Sequence, residues 1–126
     1  MGKVNRINVV FLYAQDFTLL RKFYEAAFDL SEKLLIDAKW WVEYELGDGT
    51  HFALHQAEEG YLTKANRKAG TVRFSVDVTN IFEISENLKT LGAVFHYEPT
   101  KKFGFYLAEF EDPEGNVIRL YEKIKR

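Results

Sequence analysis

Residues 49–55 read GTHFALH, and residues 115–121 read GNVIRLY. In both segments a glycine precedes a run of alternating strand-like residues, so that Gly115 corresponds to Gly49 and Tyr121 to His55 at one constant offset. A pattern repeated at a fixed spacing indicates an internal duplication. We therefore expect two similar halves, each of which ends in one of these segments as its last strand.

The first half predicts one helix among four strands. Strand-like apolar runs occupy residues 4–13, 31–37, 40–46 and 50–56. After the first run, Asp16 is a suitable N-cap, and the apolar residues that follow recur at the spacing of a helix packed on a sheet. These residues are Leu20, Phe23, Tyr24, Ala27 and Phe28. The predicted order is therefore β-α-β-β-β.

The second half repeats this order. Residues 71–78 alternate as a strand, Asn80 and Glu83 resemble a capping box, and Gly92 is a suitable stop after the helix. The apolar stripe of that helix consists of Ile81, Ile84, Leu88 and Leu91. The remaining strands are expected near residues 93–98, 104–111 and 117–122, with a hairpin turn at residues 112–116.

The whole pattern predicts an α+β fold built from two tandem βαβββ modules, each with a mixed sheet and one helix on its back. We expect a single domain over residues 1–126, with half-modules at residues 4–57 and 70–124. The polar stretch of residues 56–70 is long for a connection inside a compact unit, so it is predicted to join the halves.

Composition and charge argue against several classes of partner. Seventeen basic and nineteen acidic residues give a net charge of −2, which provides no net attraction for nucleic acid or an anionic membrane. The chain has no cysteine, which excludes disulfides, thiolate metal sites and a thiol nucleophile. The N-terminal residues lack the apolar core of a signal peptide, and no stretch approaches the about 18 apolar residues of a membrane span. We expect a cytoplasmic protein without nucleic-acid or membrane partners.

Motifs in both halves resemble those of one large superfamily. The first half contains Phe23-Tyr24 and then Phe28-Asp29-Leu30, and the second half contains DPEGN at residues 112–116 before an apolar strand. These motifs are similar to those of the vicinal-oxygen-chelate superfamily, which includes glyoxalase I, bleomycin-resistance proteins, fosfomycin-resistance proteins and extradiol dioxygenases. Asp29 stands where that family usually has glycine. The resemblance covers essentially the whole chain and implies that each sheet is curved into a cup.

The resemblance also implies four positions for metal ligands, on the first and last strands of each half. In this chain those positions hold Val9, Ala53, Thr71 and Arg119. Valine and alanine have no donor atom, neutral threonine is a weak ligand, and arginine is a permanent cation without a free lone pair. We therefore expect no metal and no other cofactor, which argues against the metal-dependent reactions of the superfamily.

Loop length in the first hairpin predicts which side chains share a face. A three-residue loop keeps apolar partners together, such as Tyr44 with Phe52, whereas a two-residue loop would mix the faces. The pairs on the opposite, cup-lining face are then Glu45–His51, Glu43–Ala53 and Trp41–His55, and by the offset between the halves Glu109–Arg119 and Leu107–Tyr121. The first strands of the two halves are expected to add Phe11, Tyr13, Arg73, Ser75 and Asp77.

The histidines of the first half allow several interpretations. His51 and His55 share the cup-lining face, but four residues at about 3.3 Å each separate them too far for one ion with bonds of about 2.1 Å. A metal site with Glu43 or Glu45 could therefore include only one histidine. Glu45 and His51 could instead form a general-base pair, since a carboxylate orients the imidazole ring. A hydrogen-bonded or solvent-facing histidine is the simpler interpretation.

Arg119 and the aromatic residues each allow two interpretations. Arg119 could bind the carboxylate or phosphate of a ligand through its planar fork, or it could form an ion pair with Glu109, which we favour. The aromatic side chains could stack on a flat ligand or could simply fill the cup; they are Phe11, Tyr13, Trp41 and Tyr121. Trp40 is expected in the core against the first helix, and His96 on the surface.

The sequence favours a metal-independent protein that binds a small aromatic ligand in a cleft between curved sheets. The candidate ligand-binding residues are Phe11, Tyr13, Trp41, His51, His55, Arg73, Glu109, Arg119 and Tyr121. The resemblance to the bleomycin-resistance branch implies a homodimer. The alternative is a superfamily enzyme of the lyase, isomerase or oxygenase type, with a non-standard acid–base or metal site around Glu45, His51 and His55. In that alternative Glu45 and His51 are the candidate catalytic residues. A third possibility is a partner-binding or regulatory module whose cup is filled by its own side chains.

Overall fold

A computed structural model describes residues 2–3, 5–47, 49–59 and 73–125. The chain divides into two compact units, Met1–Thr63 and Lys64–Arg126. Each unit contains a four-stranded mixed sheet and one helix, which confirms the α+β class and the two βαβββ modules. In the described part of the chain, neither helix is long and apolar enough to cross a lipid bilayer.

The elements of the first unit are β1 (Val9–Ala14), α1 (Phe17–Ala27), β2 (Leu34–Asp37), β3 (Trp41–Glu45) and β4 (His51–Gln56). The sheet order is β1-β4-β3-β2, with β1 parallel to β4 and the other neighbours antiparallel. The register of β2 against β3 shifts between Leu34 and Ile36. Strand β1 begins at Val9, so the predicted start at residue 4 is wrong. Val9 lies opposite the first residue of β4, and the parallel ladder cannot extend further in that direction.

The elements of the second unit are β5 (Phe74–Asp77), α2 (Ile81–Thr90), β6 (Val94–Lys102), β7 (Phe105–Glu111) and β8 (Val117–Lys123). The sheet order is β5-β8-β7-β6, with β5 parallel to β8. The register of β6 against β7 shifts twice, between Phe95 and Tyr97 and between Tyr97 and Thr100. The predicted joint falls largely outside the described residues, as do Thr71 and Val72 of the predicted strand.

Helix α1 begins where the sequence predicts. The Oδ1 of Asp16 accepts a hydrogen bond from the N–H of Leu19 at 3.1 Å, which satisfies one of the free donors in the first turn. The predicted stripe faces the sheet, and the ring of Tyr24 lies 5.1 Å from that of Phe52 on β4. The core of the first unit therefore lies between α1 and one face of its sheet.

Both helices end in the same backbone motif, with different residues at its key position. After α1 the N–H of Leu30 donates to the carbonyl of Glu25 at 3.1 Å, and the intervening Asp29 has a φ of 53°. After α2 the equivalent residue is Gly92, with a φ of 95°. This Schellman motif requires a positive φ, which glycine adopts without steric cost. Asp29, which stands where the superfamily usually has glycine, therefore holds a conformation that an L-residue rarely adopts.

Helix α2 begins with a modified capping box at Asn80. The Oδ1 of Asn80 accepts from the N–H of Glu83 at 3.4 Å, and its Nδ2 donates to the Glu83 carboxylate at 2.8 Å. The backbone N–H groups of Asn80 and Ile81 donate instead to Glu122 of β8, each at 2.8 Å. A carboxylate next to a helix N-terminus is favourable, and here it joins the start of α2 to the last strand.

The long hairpins of both units have the predicted register. Tyr44 lies opposite Phe52 in the first, and Glu109 lies opposite Arg119 in the second. Alternation along the strands then gives each sheet one apolar face, which packs against its helix. Completely or almost completely buried apolar residues include Leu20, Tyr24, Val42, Tyr44 and Leu54 in the first unit and Ile81, Leu88, Phe110, Ile118 and Leu120 in the second.

The predicted turn at residues 112–116 is organised by the carboxylate of Asp112. It accepts hydrogen bonds from the backbone N–H groups of Glu114 and Asn116 at 2.8 and 3.0 Å, and from the side-chain amide of Asn116 at 2.8 Å. Asp112 is only 4% exposed. One buried carboxylate thus satisfies three donors of the turn, as expected of aspartate at the first position of a turn.

Candidate functional site

The first unit carries a group of rings on the sheet face opposite α1. We term this group the aromatic cluster, and it consists of Phe11, Tyr13, Trp40, Trp41 and His55. The register places Tyr13, His55 and Trp41 side by side on three strands. The ring of His55 lies 4.9 Å from Tyr13 and 5.7 Å from Trp41, and that of Phe11 lies 5.4 Å from Trp41. The structure therefore brings these four predicted site residues together.

Trp40 belongs to this cluster, so its predicted place in the core is wrong. Its ring lies 5.4 Å from that of His55, and the residue is 58% exposed. Strand β3 begins only at Trp41, so the alternation of a strand does not determine the direction of Trp40. Phe11 is 41% exposed as well. Two large rings of the cluster are therefore open to solvent.

A histidine and two carboxylates lie on the same sheet face. The Nδ1 of His51 is 2.5 Å from Oε2 of Glu43, and its Nε2 is 3.5 Å from Oε2 of Glu45. The indole N–H of Trp41 donates to the other carboxylate oxygen of Glu43 at 3.0 Å. The predicted partner of His51 is Glu45, which lies opposite it in the strand register. In the structure the carboxylate of Glu43 is closer to the His51 ring than that of Glu45. Glu43 thus orients both His51 and a ring of the aromatic cluster.

The two histidines of the first unit have different surroundings. His51 contacts carboxylates, whereas His55 lies among rings and its buried Nδ1 has no hydrogen-bond partner within the described part of the chain. A buried polar atom without a partner typically costs about 1–3 kcal/mol, so the Nδ1 of His55 is a destabilising feature of the cluster.

The second unit carries a polar network on the matching face of its sheet. The Oε1 of Glu109 accepts from Nη1 of Arg73 at 2.7 Å and lies 2.9 Å from Nδ1 of His96. The Nε2 of His96 lies 2.7 Å from Oε2 of Glu111. Hydrogen bonds to Glu109 and then Glu111 raise the pKa of His96. Burial acts to raise the pKa of Glu109, but hydrogen bonds from His96 and Arg73 outweigh it and lower that pKa.

His96 lies on the surface, as predicted, but its role in this network was missed. The pairing of β6 with β7 moves from Phe95–Phe110 directly to Tyr97–Glu109, so His96 is the extra residue of a bulge. A bulge can redirect a side chain, and periodicity alone does not reveal it. The signal available in the sequence was the repeated pair of glutamates, because Glu109 and Glu111 correspond to Glu43 and Glu45 at the offset between the halves. In the structure His51 contacts both glutamates of the first pair, and His96 contacts both glutamates of the second.

Arg119 does not form the predicted ion pair. Its register partner Glu109 is hydrogen-bonded to Arg73 and His96 instead. Arg119 is exposed, and among the described residues its side chain makes no hydrogen bond or ion pair. Tyr121, two residues further along β8, packs its ring 5.3 Å from that of Phe105. The structure therefore places Arg73, Glu109, Arg119 and Tyr121 on one face but leaves Arg119 outside the network.

The side chains at the implied metal positions do not suit a divalent cation. Val9 and Ala53 are apolar, Ala53 is completely buried, and Arg119 is a cation. Thr71 lies outside the described residues. In the described ranges no group of three or more His, Cys, Asp or Glu side chains is arranged to hold a metal ion. The donors present thus do not fit the metal centre of the superfamily, and we derive no step through a metal.

Comparison with known families classifies the chain. The Glyoxalase/Bleomycin resistance protein/Dioxygenase superfamily matches residues 6–120. The chain belongs to this superfamily. The resemblance of the helix and turn motifs to vicinal-oxygen-chelate proteins is therefore confirmed at the level of the superfamily. The search of curated proteins found no match.

Solved structures of this superfamily share the fold at low sequence identity. A glyoxalase/bleomycin resistance protein/dioxygenase family enzyme from Burkholderia phytofirmans PsJN is 19% identical with a TM-score of 0.76, and the match covers 93% of this chain and 98% of that one. A lactoylglutathione lyase from Agrobacterium tumefaciens is 20% identical with a TM-score of 0.69 and 96% coverage of both chains. A glyoxalase-related enzyme from Fulvimarina pelagi is 15% identical with a TM-score of 0.75, covering 95% and 89%. These similarities establish the fold and not the activity.

Proposed function

We propose that this superfamily member is a metal-independent protein that binds a small, flat aromatic ligand. The observation that carries the proposal is the aromatic cluster on the open sheet face of the first unit. Phe11, Tyr13, Trp41 and His55 are the residues that we expect to contact the ligand, together with Trp40. The apolar and permanently cationic side chains at the implied metal positions support a role in recognition.

The exposure of the cluster supports ligand binding. Aromatic side chains have large apolar surfaces, and transfer of that surface from water contributes about 25 cal/mol per Å². Phe11 and Trp40 remain substantially exposed on the sheet face, at 41% and 58%. A flat ligand on these rings would remove apolar surface from water. This effect favours a planar aromatic molecule.

Tryptophan fluorescence provides a direct test, because the two tryptophans of the chain both lie in the cluster. We expect quinoline, acridine or riboflavin to quench this fluorescence in a saturable way, with a stoichiometry of one by calorimetry. The Phe11→Ala variant should bind at least tenfold more weakly, since it removes one wall of the cluster.

The matched control is Phe103→Ala, which removes an almost fully exposed ring from the second unit. It should leave the affinity unchanged. The proposal fails if none of the three compounds binds, or if Phe11→Ala binds as tightly as the unmodified protein.

We further propose that the protein is a cytoplasmic homodimer. The support for the dimer is the resemblance to the bleomycin-resistance branch, and the lack of cysteine is compatible with a reducing compartment. Sedimentation equilibrium should give twice the chain mass of 14.7 kDa. A mass of one chain at micromolar concentration would contradict the dimer.

A second candidate function is acid–base catalysis at His51, and the contact with Glu43 favours it. A carboxylate on Nδ1 orients an imidazole so that Nε2 can exchange a proton with a substrate. In this arrangement His51 is the catalytic residue and Glu43 the positioning residue, while Glu45 lies near the reactive nitrogen. The aromatic cluster would hold the substrate next to this site, since Trp41 shares Glu43 with His51.

Turnover of a bound compound separates the two functions. A compound that quenches the tryptophans is incubated with stoichiometric protein and analysed by chromatography. Catalysis predicts a product that disappears with His51→Gln and decreases with Glu43→Gln, with a changed pH profile in the latter. Unchanged compound after long incubation favours the binding role.

A further inference from the structure

The exposed Arg119 lies near the middle of the second unit's sheet. Strand β8 is an inner strand, with β5 on one side and β7 on the other. The register partners of Arg119 are Ser75 on β5 and Glu109 on β7. Tyr121 follows two residues later on the same face, about 7 Å along the strand. These positions combine a cation, a hydroxyl and an aromatic ring on one surface.

The acidic residues of β7 on this face already have other partners. Glu109 is hydrogen-bonded by Arg73 and His96, and Glu111 by His96. The carboxylate next to Arg119 is that of Glu109, and its charge is offset by Arg73 and His96. Among the described residues its guanidinium has no hydrogen bond or ion pair, and its five N–H donors remain available.

We propose that Arg119 binds the carboxylate or phosphate group of an aromatic ligand, and that Tyr121 contacts the ring of that ligand. A guanidinium binds either anion through two parallel hydrogen bonds, and the hydroxyl of Ser75 can add a third. The ring pair of Tyr121 and Phe105, with centroids 5.3 Å apart, offers an apolar surface next to the anion position.

The carboxylate of Asp77, the other acidic residue on this face, favours one orientation of the ligand. Asp77 is exposed and is the register partner of Tyr121, so it lies one residue pair away from Arg119 on this face. Its charge disfavours an anion beside Tyr121 and favours the ring there. The anionic group is therefore placed toward Ser75 and Arg119.

The proposal is argued from residues of the second unit alone, and it does not rest on the function proposed above. The arginine replaces an implied metal ligand of the superfamily with a cation. Recognition of an anion at this position thus follows from the side-chain chemistry of this chain alone.

Calorimetry with three naphthalene compounds tests the proposal on the full chain. The probes are 2-naphthoate, 2-naphthyl phosphate and the neutral 2-naphthamide. We expect at least one of the two anions to bind at least tenfold more tightly than the amide. The stronger of the two identifies whether carboxylate or phosphate is the preferred group.

Variants of exposed arginines complete the design, since neither is expected to affect folding. Arg119→Gln should weaken anion binding at least tenfold and change amide binding less than twofold. Arg119→Lys should give an intermediate loss, because it keeps the charge without the planar fork. Arg6→Gln, the matched control, should have no effect. Equal binding of anions and amide, no binding of either anion, or unchanged anion binding by Arg119→Gln would overturn the proposal.

The experiments distinguish failure of the Arg119 proposal from failure of the proposal that the aromatic cluster binds a ligand. Tryptophan quenching reports on the aromatic cluster, whereas the Arg119 variants report on the second unit. If Phe11→Ala abolishes binding of 2-naphthoate and Arg119→Gln does not, the anion site is wrong and the aromatic cluster remains a binding site.

Discussion

Asp29 illustrates how a single residue satisfies a backbone requirement at an energetic cost. The chain must turn with a positive φ after α1 so that Leu30 can donate back to the last helical turn. Aspartate tolerates this conformation better than most L-residues, but glycine adopts it freely. Gly92 at the end of α2 shows the unstrained version of the same motif.

Replacement of Asp29 by glycine should stabilise the protein. Relief of the left-handed strain outweighs the extra backbone entropy of glycine in the unfolded chain, for a net gain of about 0.5–1 kcal/mol. This corresponds to a rise in melting temperature of about 2–5 °C for a chain of this size. Differential scanning calorimetry measures the change.

The reciprocal variant is the control for this prediction. Gly92→Ala introduces a Cβ at a φ of 95° and should destabilise by about 1 kcal/mol or more. A melting temperature of Asp29→Gly below that of the unmodified protein would show that the aspartate side chain contributes more than its strained backbone costs.

At the level of elements, the hairpins were the most predictable part of the chain. Matching apolar partners selected the loop that places Tyr44 opposite Phe52, and the constant offset between the halves transferred that register to Glu109 and Arg119. Prediction failed where strand alternation does not apply. Trp40 precedes its strand, so periodicity cannot supply the direction of its side chain. His96 lies on the surface of an outer strand, as predicted, but its position at a bulge concealed its contacts with Glu109 and Glu111.

For the candidate site, the sequence predicted which sheet face a side chain lies on, but not which side chain it contacts. Residues on regular strands, such as Phe11 and His55, were placed on the correct face because the register determines their neighbours. Side-chain partners were not predictable, since a long glutamate can reach along the strand as well as across it. Glu43 therefore contacts His51 diagonally, and Glu109 bonds to Arg73 and His96 while Arg119 lies opposite.

The turn of the second hairpin depends strongly on one carboxylate. Asp112→Ala removes three hydrogen bonds and leaves donors of a half-buried turn unpaired, so we expect a loss of about 2–3 kcal/mol in the free energy of unfolding. Asp112→Asn retains one acceptor oxygen and should lose less. Urea denaturation followed by circular dichroism measures both.

The N-cap of α1 provides the comparison. Asp16→Ala removes one exposed capping bond and should cost about 1 kcal/mol. If Asp112→Ala costs no more than Asp16→Ala, the three bonds of the turn do not act together as described.

At the scale of the whole molecule, the two units have glutamate pairs at corresponding positions, but the histidine that contacts each pair comes from a different strand in each unit. The two glutamate pairs correspond across the halves, yet His51 comes from the inner strand β4 and His96 from the outer strand β6. The network of the second unit therefore ties its outer strand to the sheet by a titratable group, and its strength depends on pH.

We expect the His96 network to stabilise the protein most between pH 4.5 and 6.5. The pKa of His96 is raised above 6.5 in the folded protein, so its contribution is complete below pH 6.5 and is lost as the pH rises through the folded value. The pKa of Glu109 is lowered from 4.5, so its contribution is complete above pH 4.5 and is lost on acidification. Because the His96 side chain is 34% exposed, its effect should not exceed about 1 kcal/mol.

Comparison with His96→Gln isolates this contribution. The unmodified protein should be more stable than the variant at pH 6, and the difference should shrink toward pH 9 in urea titrations. A difference that stays the same at both pH values would mean that the charge of His96 does not contribute.

Two of the outer strands, β2 and β6, are irregular, which makes them poor sites for joining other molecules edge to edge. A straight, free strand presents evenly spaced backbone donors and acceptors on which a foreign strand can add, which is a common route to aggregation. The register shifts in β2 and β6 break that spacing, and Pro99 of β6 has no N–H to offer. Although β2 exposes the apolar residues Leu34, Leu35 and Ile36, its bent backbone is a poor template for fibril growth. We therefore expect deletion of a bulge residue from β2 or β6 to make concentrated solutions more prone to β-rich precipitation than those of the unmodified protein.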